Sequence, residues 1–191
     1  MNGKAVPGER PIALPGGPSA EIRRERMIRV DHAGEYGAVR IYDGQRAVFG
    51  KQAAVAQTRA TIEAMAAQEA AHLARFDALI AEHRVRPTAL RPLWDVAGFA
   101  LGAATALMGE KAAMACTAAV EEVIEEHYAR QKNALPADEP LAATIAAFRE
   151  DEAAHRRTAL AAGAADTPAY RLLSGAIKTG CRLAIKLSEK I

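Results

Sequence analysis

Cysteine, aromatic residues, long apolar runs and net charge are all scarce in this 191-residue chain. The two cysteines, Cys116 and Cys181, stand alone with no CxxC pair. That fits a reducing compartment and excludes a rubredoxin-type iron centre, which needs four thiolates. Aromatics make up 5% of the residues, and β-branched residues come singly. No stretch alternates with period two, so no sheet is expected. A net charge of +2, with no Lys/Arg block interleaved with aromatics, argues against nucleic acid as a partner. No run reaches the roughly 18 uncharged apolar residues of a membrane-spanning helix. The longest candidate, Val96–Gly109, has 14 residues. Residues 1–18 are rich in Gly and Pro and lack an apolar h-region, so a flexible lead-in is expected there rather than a signal peptide.

What the chain does have is alanine, which dominates a hydrophobic half of the sequence. That composition favours closely packed helices in one domain with its own core. Helices are predicted from Ser19 or Ala20 to Val48, from Gln52 to Arg84, from Glu110 to Leu135, from Leu141 to Ala162, and from Ala169 to Ile191. Gly50, Pro87, Pro92, Pro136 and Pro140, and Gly163 with Pro168, punctuate them. An apolar segment, 93–108, lies in the long connection between the second and third of these helices. A bundle with one long crossover has this order. The expected domain plan is therefore a bundle over 19–168 and a terminal helix over 169–191 packed on it. Gly34 and Gly37, inside the first helix, are expected to let a neighbouring backbone approach closely.

Two copies of one motif carry chemistry. Glu69-Ala-Ala-His72 and Glu152-Ala-Ala-His155 each put a carboxylate and an imidazole on one helix face. A single Glu-x-x-His is ordinarily a solvated helix face; two copies on separate helices are the pattern of ferritin-like di-metal sites, completed by one Glu from each of two other helices. Residues equidistant from a hairpin turn lie level with each other. Glu35 opposite Glu69 requires a turn near residue 52, close to Gly50. Glu121 opposite Glu152 requires one near 136, where Pro136 stands. Each ligand would then sit about 25 Å from its turn. Tyr42 follows Glu35 by seven residues, and Tyr128 follows Glu121 by seven, so each Tyr shares a face with its Glu. The repeat suggests a pseudo-twofold bundle, although coincidence in a Glu-rich chain is the plain alternative.

Met114, Thr117, Glu121, Ile124 and Tyr128 form the expected inner face of the third helix. Glu122 and Glu126 are expected to be solvated, and Glu125 is open. His127 adjoins the site face, His32 is expected at the first helix's surface, and His83 at a helix end. Four buried carboxylates would be costly unpaired, and two divalent ions would offset them. Mixed carboxylate and imidazole ligation suits Fe or Mn.

Residues 29–44 (RVDHAGEYGAVRIYDG), 84–109 (RVRPTALRPLWDVAGFALGAATALMG), 113–128 (AMACTAAVEEVIEEHY) and 180–191 (GCRLAIKLSEKI) resemble the demethoxyubiquinone hydroxylase family over about residues 20–191. The resemblance implies an all-α, ferritin-like di-iron monooxygenase that uses O2 to hydroxylate the ring of a polyprenylated methoxy-benzoquinone. It places the two Fe ions on Glu35, Glu69, His72, Glu121, Glu152 and His155, with no ligand missing. His127 and Tyr128 match family positions near that site. NADH is implied as a reductant, yet no GxGxxG fingerprint marks where it binds. The family also implies a peripheral membrane protein, here on the cytoplasmic side of a cell membrane, working with a lipid-binding partner of ubiquinone biosynthesis.

In the terminal helix, Lys178, Arg182, Lys186 and Lys190 recur every four residues beside an apolar surface of Leu173, Ile177, Cys181, Ala184, Leu187 and Ile191. Such a helix suits an anionic membrane; a bundle-covering helix with a solvated basic edge reads the same way. Segment 93–108 is either core or interfacial. A ferritin-like iron store or peroxide scavenger would share the ligands but need neither feature. A non-catalytic scaffold or lipid carrier would hold no metal.

Overall fold

The computed structural model describes residues 17–50, 52–137 and 139–191. The lead-in expected over 1–18 therefore lies, for residues 1–16, outside the described residues. The described residues form six α-helices and no strand: α1 (Ala20–Phe49), α2 (Ala56–Glu82), α3 (Arg91–Leu107), α4 (Glu110–Ala134), α5 (Pro140–Ala161) and α6 (Tyr170–Ser188). A short 3₁₀ turn, Ala53–Val55, precedes α2, so that helix starts later than the expected Gln52.

Local chemistry sets the ends. Ser19 Oγ accepts the backbone N–H of Ile22 at 3.2 Å and caps α1. Gly50 stops it at φ +49°, a conformation costly for a residue with a Cβ. Proline near the first position starts both α3 and α5, where no intrahelical N–H is needed.

The helices form a bundle in which α1 packs on α2, and α4 on α5, as two hairpins. The apolar connection is the helix α3, laid along α1. Its other face leaves Leu93, Val96, Leu107 and Met108 largely exposed, so it is both packed and surface. The close contact between α1 and α3 falls at glycines other than the expected pair. A Cβ at Gly44 would run into the backbone of Phe99, one at Gly102 into that of Ile41, and one at Gly98 would lie 2.9 Å from the Gly37 carbonyl. No backbone atom of another helix lies within 4 Å of where a Cβ would stand at Gly34 or Gly37. α3 does come close to the Gly37 carbonyl, but a Cβ at Gly34 or Gly37 would not obstruct it, so the glycines that permit the approach are Gly44, Gly98 and Gly102.

Helix α6 lies against α4, with a smaller contact to α1. Ile177 is buried there, and Leu173 and Cys181 pack beside it. Lys178 meets Glu122 at 2.5 Å and Arg182 meets Glu126 at 3.1 Å. The basic stripe is therefore partly tied to α4, and Glu122 is half-buried in ion pairs rather than solvated. Glu125 pairs with Arg149 and Arg156 of α5. His32 is a further correction: it is buried and bonds Asp77 of α2 at 3.0 Å, so it joins two helices instead of facing water. His83 is exposed, as expected.

Candidate metal centre

Four helices each send acidic side chains into one buried space. Glu35 comes from α1, Glu69 and His72 from α2, Glu121 from α4, and Glu152 and His155 from α5. All six are at most 4% exposed. They form two groups, Glu35–Glu69–His72–Glu152 and Glu69–Glu121–Glu152–His155, each offering ligand atoms within 4.8 Å of one another. Glu69 and Glu152 belong to both groups. The i, i+3 spacing does this locally, because it keeps each Glu and His on the same helix face.

The imidazoles face inward through Nδ1. His72 Nδ1 lies 3.2 Å from Glu152 and 3.5 Å from Glu35. His155 Nδ1 lies 2.9 Å from Glu69 and 3.5 Å from Glu152. Outward, His72 Nε2 donates to Asp151 Oδ2 at 3.1 Å, and His155 Nε2 donates to Gln68 Oε1 at 2.9 Å. In the neutral imidazole that a metal requires, the ring proton sits on Nε2 and the Nδ1 lone pair faces the space between the carboxylates. Phe148 stacks on His72 at a centroid distance of 3.9 Å and fixes its plane.

This arrangement is electrostatically incomplete by itself. Glu35 Oε2, Glu69 Oε1, both oxygens of Glu152 and both inward Nδ1 atoms lack a hydrogen bond. Burial, then the charge of Glu152, holds Glu69 and Glu121 well above the usual carboxyl range. Burial also raises Glu152, although His72 opposes it. Burial works to lower His72, yet the adjoining Glu152 and Glu35 carboxylates outweigh it and raise the imidazole to about 11. Buried groups left unpaired and pushed toward protonation are what a cation would satisfy. Four carboxylates and two imidazoles, three carboxylates and one imidazole to each group, fit two borderline divalent ions.

Two tyrosines bind the glutamates across the hairpins. Tyr42 Oη of α1 donates to Glu121 of α4 at 2.9 Å, and Tyr128 Oη of α4 donates to Glu35 of α1. Burial raises both phenols well above 10, so both keep their protons.

The family described as "Ubiquinone biosynthesis protein COQ7" matches residues 23–188. The chain belongs to this family. Among its COQ7 relatives, the 3-demethoxyubiquinol 3-hydroxylase of Rhodospirillum rubrum is 56% identical over 93% of this chain and 83% of its own. The human protein named NADPH-dependent 3-demethoxyubiquinone 3-hydroxylase, mitochondrial, is 49% identical over 87% of this chain and 77% of its own. The yeast 5-demethoxyubiquinone hydroxylase is 39% identical over 87% and 78%.

In this COQ7 member, His127 makes no hydrogen bond or ion pair with any of the six. It bonds Asp31 at 3.0 Å, and Gln131 joins both. Gln68 and Asp151 are the contacts that spacing alone did not reveal. Each immediately precedes a motif Glu and serves the His of the opposite hairpin; that shared position is the signal that could have found them.

Two clefts open along α1 and α4, two of the helices that hold these ligands, and none of the six ligands lines either. One, of about 520 Å³, is walled almost wholly by apolar groups from α1, α3, α4 and α6, among them Gly34, Gly37, Trp94, Ile124 and Ile177. The other, of about 690 Å³, is edged by Arg23, Arg26, Arg29, Arg130 and Lys190, with His127 among its lining residues. No helix of the described residues is long and apolar enough to cross a membrane.

Proposed function

We infer that this protein is a 3-demethoxyubiquinol 3-hydroxylase, an O2-dependent di-iron monooxygenase of ubiquinone biosynthesis on a ferritin-like bundle of α1, α2, α4 and α5. The observation that carries the reading is the pair of buried Glu/His groups sharing Glu69 and Glu152, with an apolar cleft beside the helices that hold them. The names of the relatives supply the reaction.

Glu35 and His72 would hold one iron, Glu121 and His155 the other, with Glu69 and Glu152 shared. When bound, the irons supply reductive cleavage of O2, one oxygen atom entering a ring C–H bond and the other leaving as water with two electrons and two protons. The chain supplies the rest. Asp151 and Gln68 hold each imidazole with its lone pair inward. Tyr42 and Tyr128 keep their protons and donate them in hydrogen bonds to Glu121 and Glu35, steadying the two outer carboxylates. The apolar cleft excludes water and takes the quinone ring with the first part of its tail. The electrons come from a reduced nicotinamide. NADH is implied by the family, and the human relative is named for NADPH. The arginine-edged cleft beside His127 offers the positive charge that its phosphates need.

The lipid substrate calls for a protein at a membrane surface, on the cytoplasmic side in a bacterial cell. Leu93 and Val96 of α3 and Leu172 and Leu183 of α6 are exposed apolar groups on the helices that wall the cleft. They suit an interface that a membrane and a lipid-binding partner would share. A ferritin-like store or peroxide scavenger needs the same ligands and no such cleft.

Anaerobic reconstitution with Fe(II), then exposure to O2 with a short-tail demethoxyquinone and NADH or NADPH, tests the reading. The hydroxylated quinone is the expected product. Iron oxidation without that product would favour the store or scavenger.

A further inference from the structure

Glycine inside a helix weakens it relative to alanine, because the backbone loses more freedom on folding. At Gly44 and Gly102 that loss has a compensation, since no Cβ would fit between the backbones of α1 and α3. At Gly37 it has none from packing: a Cβ there would meet nothing within 4 Å. At Gly34 the nearest atom would be Ile124 Cδ1, at an ordinary 3.6 Å. Alanine would fit at either position.

Both glycines instead line the apolar cleft. They flank Glu35 on α1. On α4 the cleft is lined by Val120, one residue before Glu121, and Ile124, three after it. The cleft therefore runs along the turns of α1 and α4 that carry the outer glutamates, on a face of α1 turned from Glu35 and with neither glutamate in its lining. A flat ring can lie against a bare peptide backbone more closely than against any side chain.

Resting on the quinone reading above, we propose that Gly37, with Gly34 beside it, is a specificity determinant: the two absent side chains leave the width that a methoxy-substituted quinone ring needs to lie against α1. The helix gives up stability here to keep the space open, which predicts opposite effects of one added methyl group on folding and on binding.

Trp94, the single tryptophan, lines the same cleft. Quenching of its fluorescence by a short-tail demethoxyquinone reports binding without turnover. The variants are Gly37→Ala, Gly37→Leu and, as control, Gly175→Ala, where a Cβ is equally free but does not line the cleft. Gly37→Ala is expected to raise the melting temperature by about 2–4 °C with iron content unchanged, and to weaken quinone binding about tenfold. Gly37→Leu should abolish the quenching. A quinone without methoxy groups should lose less than the methoxy compound in Gly37→Ala. Gly175→Ala should gain similar stability and bind as the wild type does.

Wild-type binding in Gly37→Leu would overturn the proposal, as would a lower melting temperature in Gly37→Ala with binding intact. A wild-type chain that bound no quinone would sink the quinone reading itself, and this proposal with it.

Discussion

The phenol of Tyr42 reaches across the bundle to Glu121, 79 residues away in the chain, and donates to it at 2.9 Å. Tyr128 returns the same bond from α4 to Glu35 of α1. Each hairpin thus steadies the outer glutamate of the other. Tyr42→Phe and Tyr128→Phe should each weaken iron binding by about 10- to 100-fold, because each leaves a buried carboxylate oxygen without its donor. Competition with a chromogenic chelator measures this. Equal losses in the two variants are expected from the pseudo-twofold arrangement.

The outward bonds of the histidines give a second prediction. Asp151→Ala frees the His72 ring and Gln68→Ala frees the His155 ring. Each should lower metal affinity by about 10- to 100-fold while leaving the fold intact. Asp151→Asn, which retains an acceptor oxygen, should recover part of the loss. Chelator competition with circular dichroism as a fold control checks both.

Much of this centre is readable in the sequence, because helix geometry alone puts Glu69 with His72, Glu152 with His155, and each hairpin's glutamates level with each other. The cross-hairpin contacts are not readable. Whether Asp151 meets His72 depends on how α5 turns about its axis against α2, which no spacing within one helix fixes. The same limit explains His32. Its partner, Asp77, stands on another helix, so no spacing within α1 shows that His32 is buried. It also explains the glycines, since spacing does not say which face of α1 meets α3.

Gly44 and Gly102 supply the third prediction. Ala at either position would force a methyl group into backbone across the α1–α3 contact. A cost of about 1–3 kcal/mol or more is expected from the overpacking. Denaturant unfolding should show both variants destabilised, opposite in sign to Gly37→Ala.

The metal-free protein should respond to pH in a definite direction. His72 stands at about 11 when folded, against an ordinary value of 6.5, so between these values the folded chain holds more protons than the unfolded one. Glu69 and Glu121 are shifted up as well and act with the same sign. Their stabilisation is complete at low pH and is lost as pH rises through the folded values. The melting temperature of chelator-treated protein should therefore fall between about pH 6.5 and 9. A melting temperature that rose across that window would contradict the assignment of unsatisfied buried groups.

Ferrous titration under argon, counted by elemental analysis, tests the centre most directly. Wild-type protein should take up two irons per chain, and Glu69→Ala and Glu152→Ala should each lose both tight sites together with quinone hydroxylation, because each glutamate serves both groups. Two tightly held irons and full hydroxylation in either variant would contradict it.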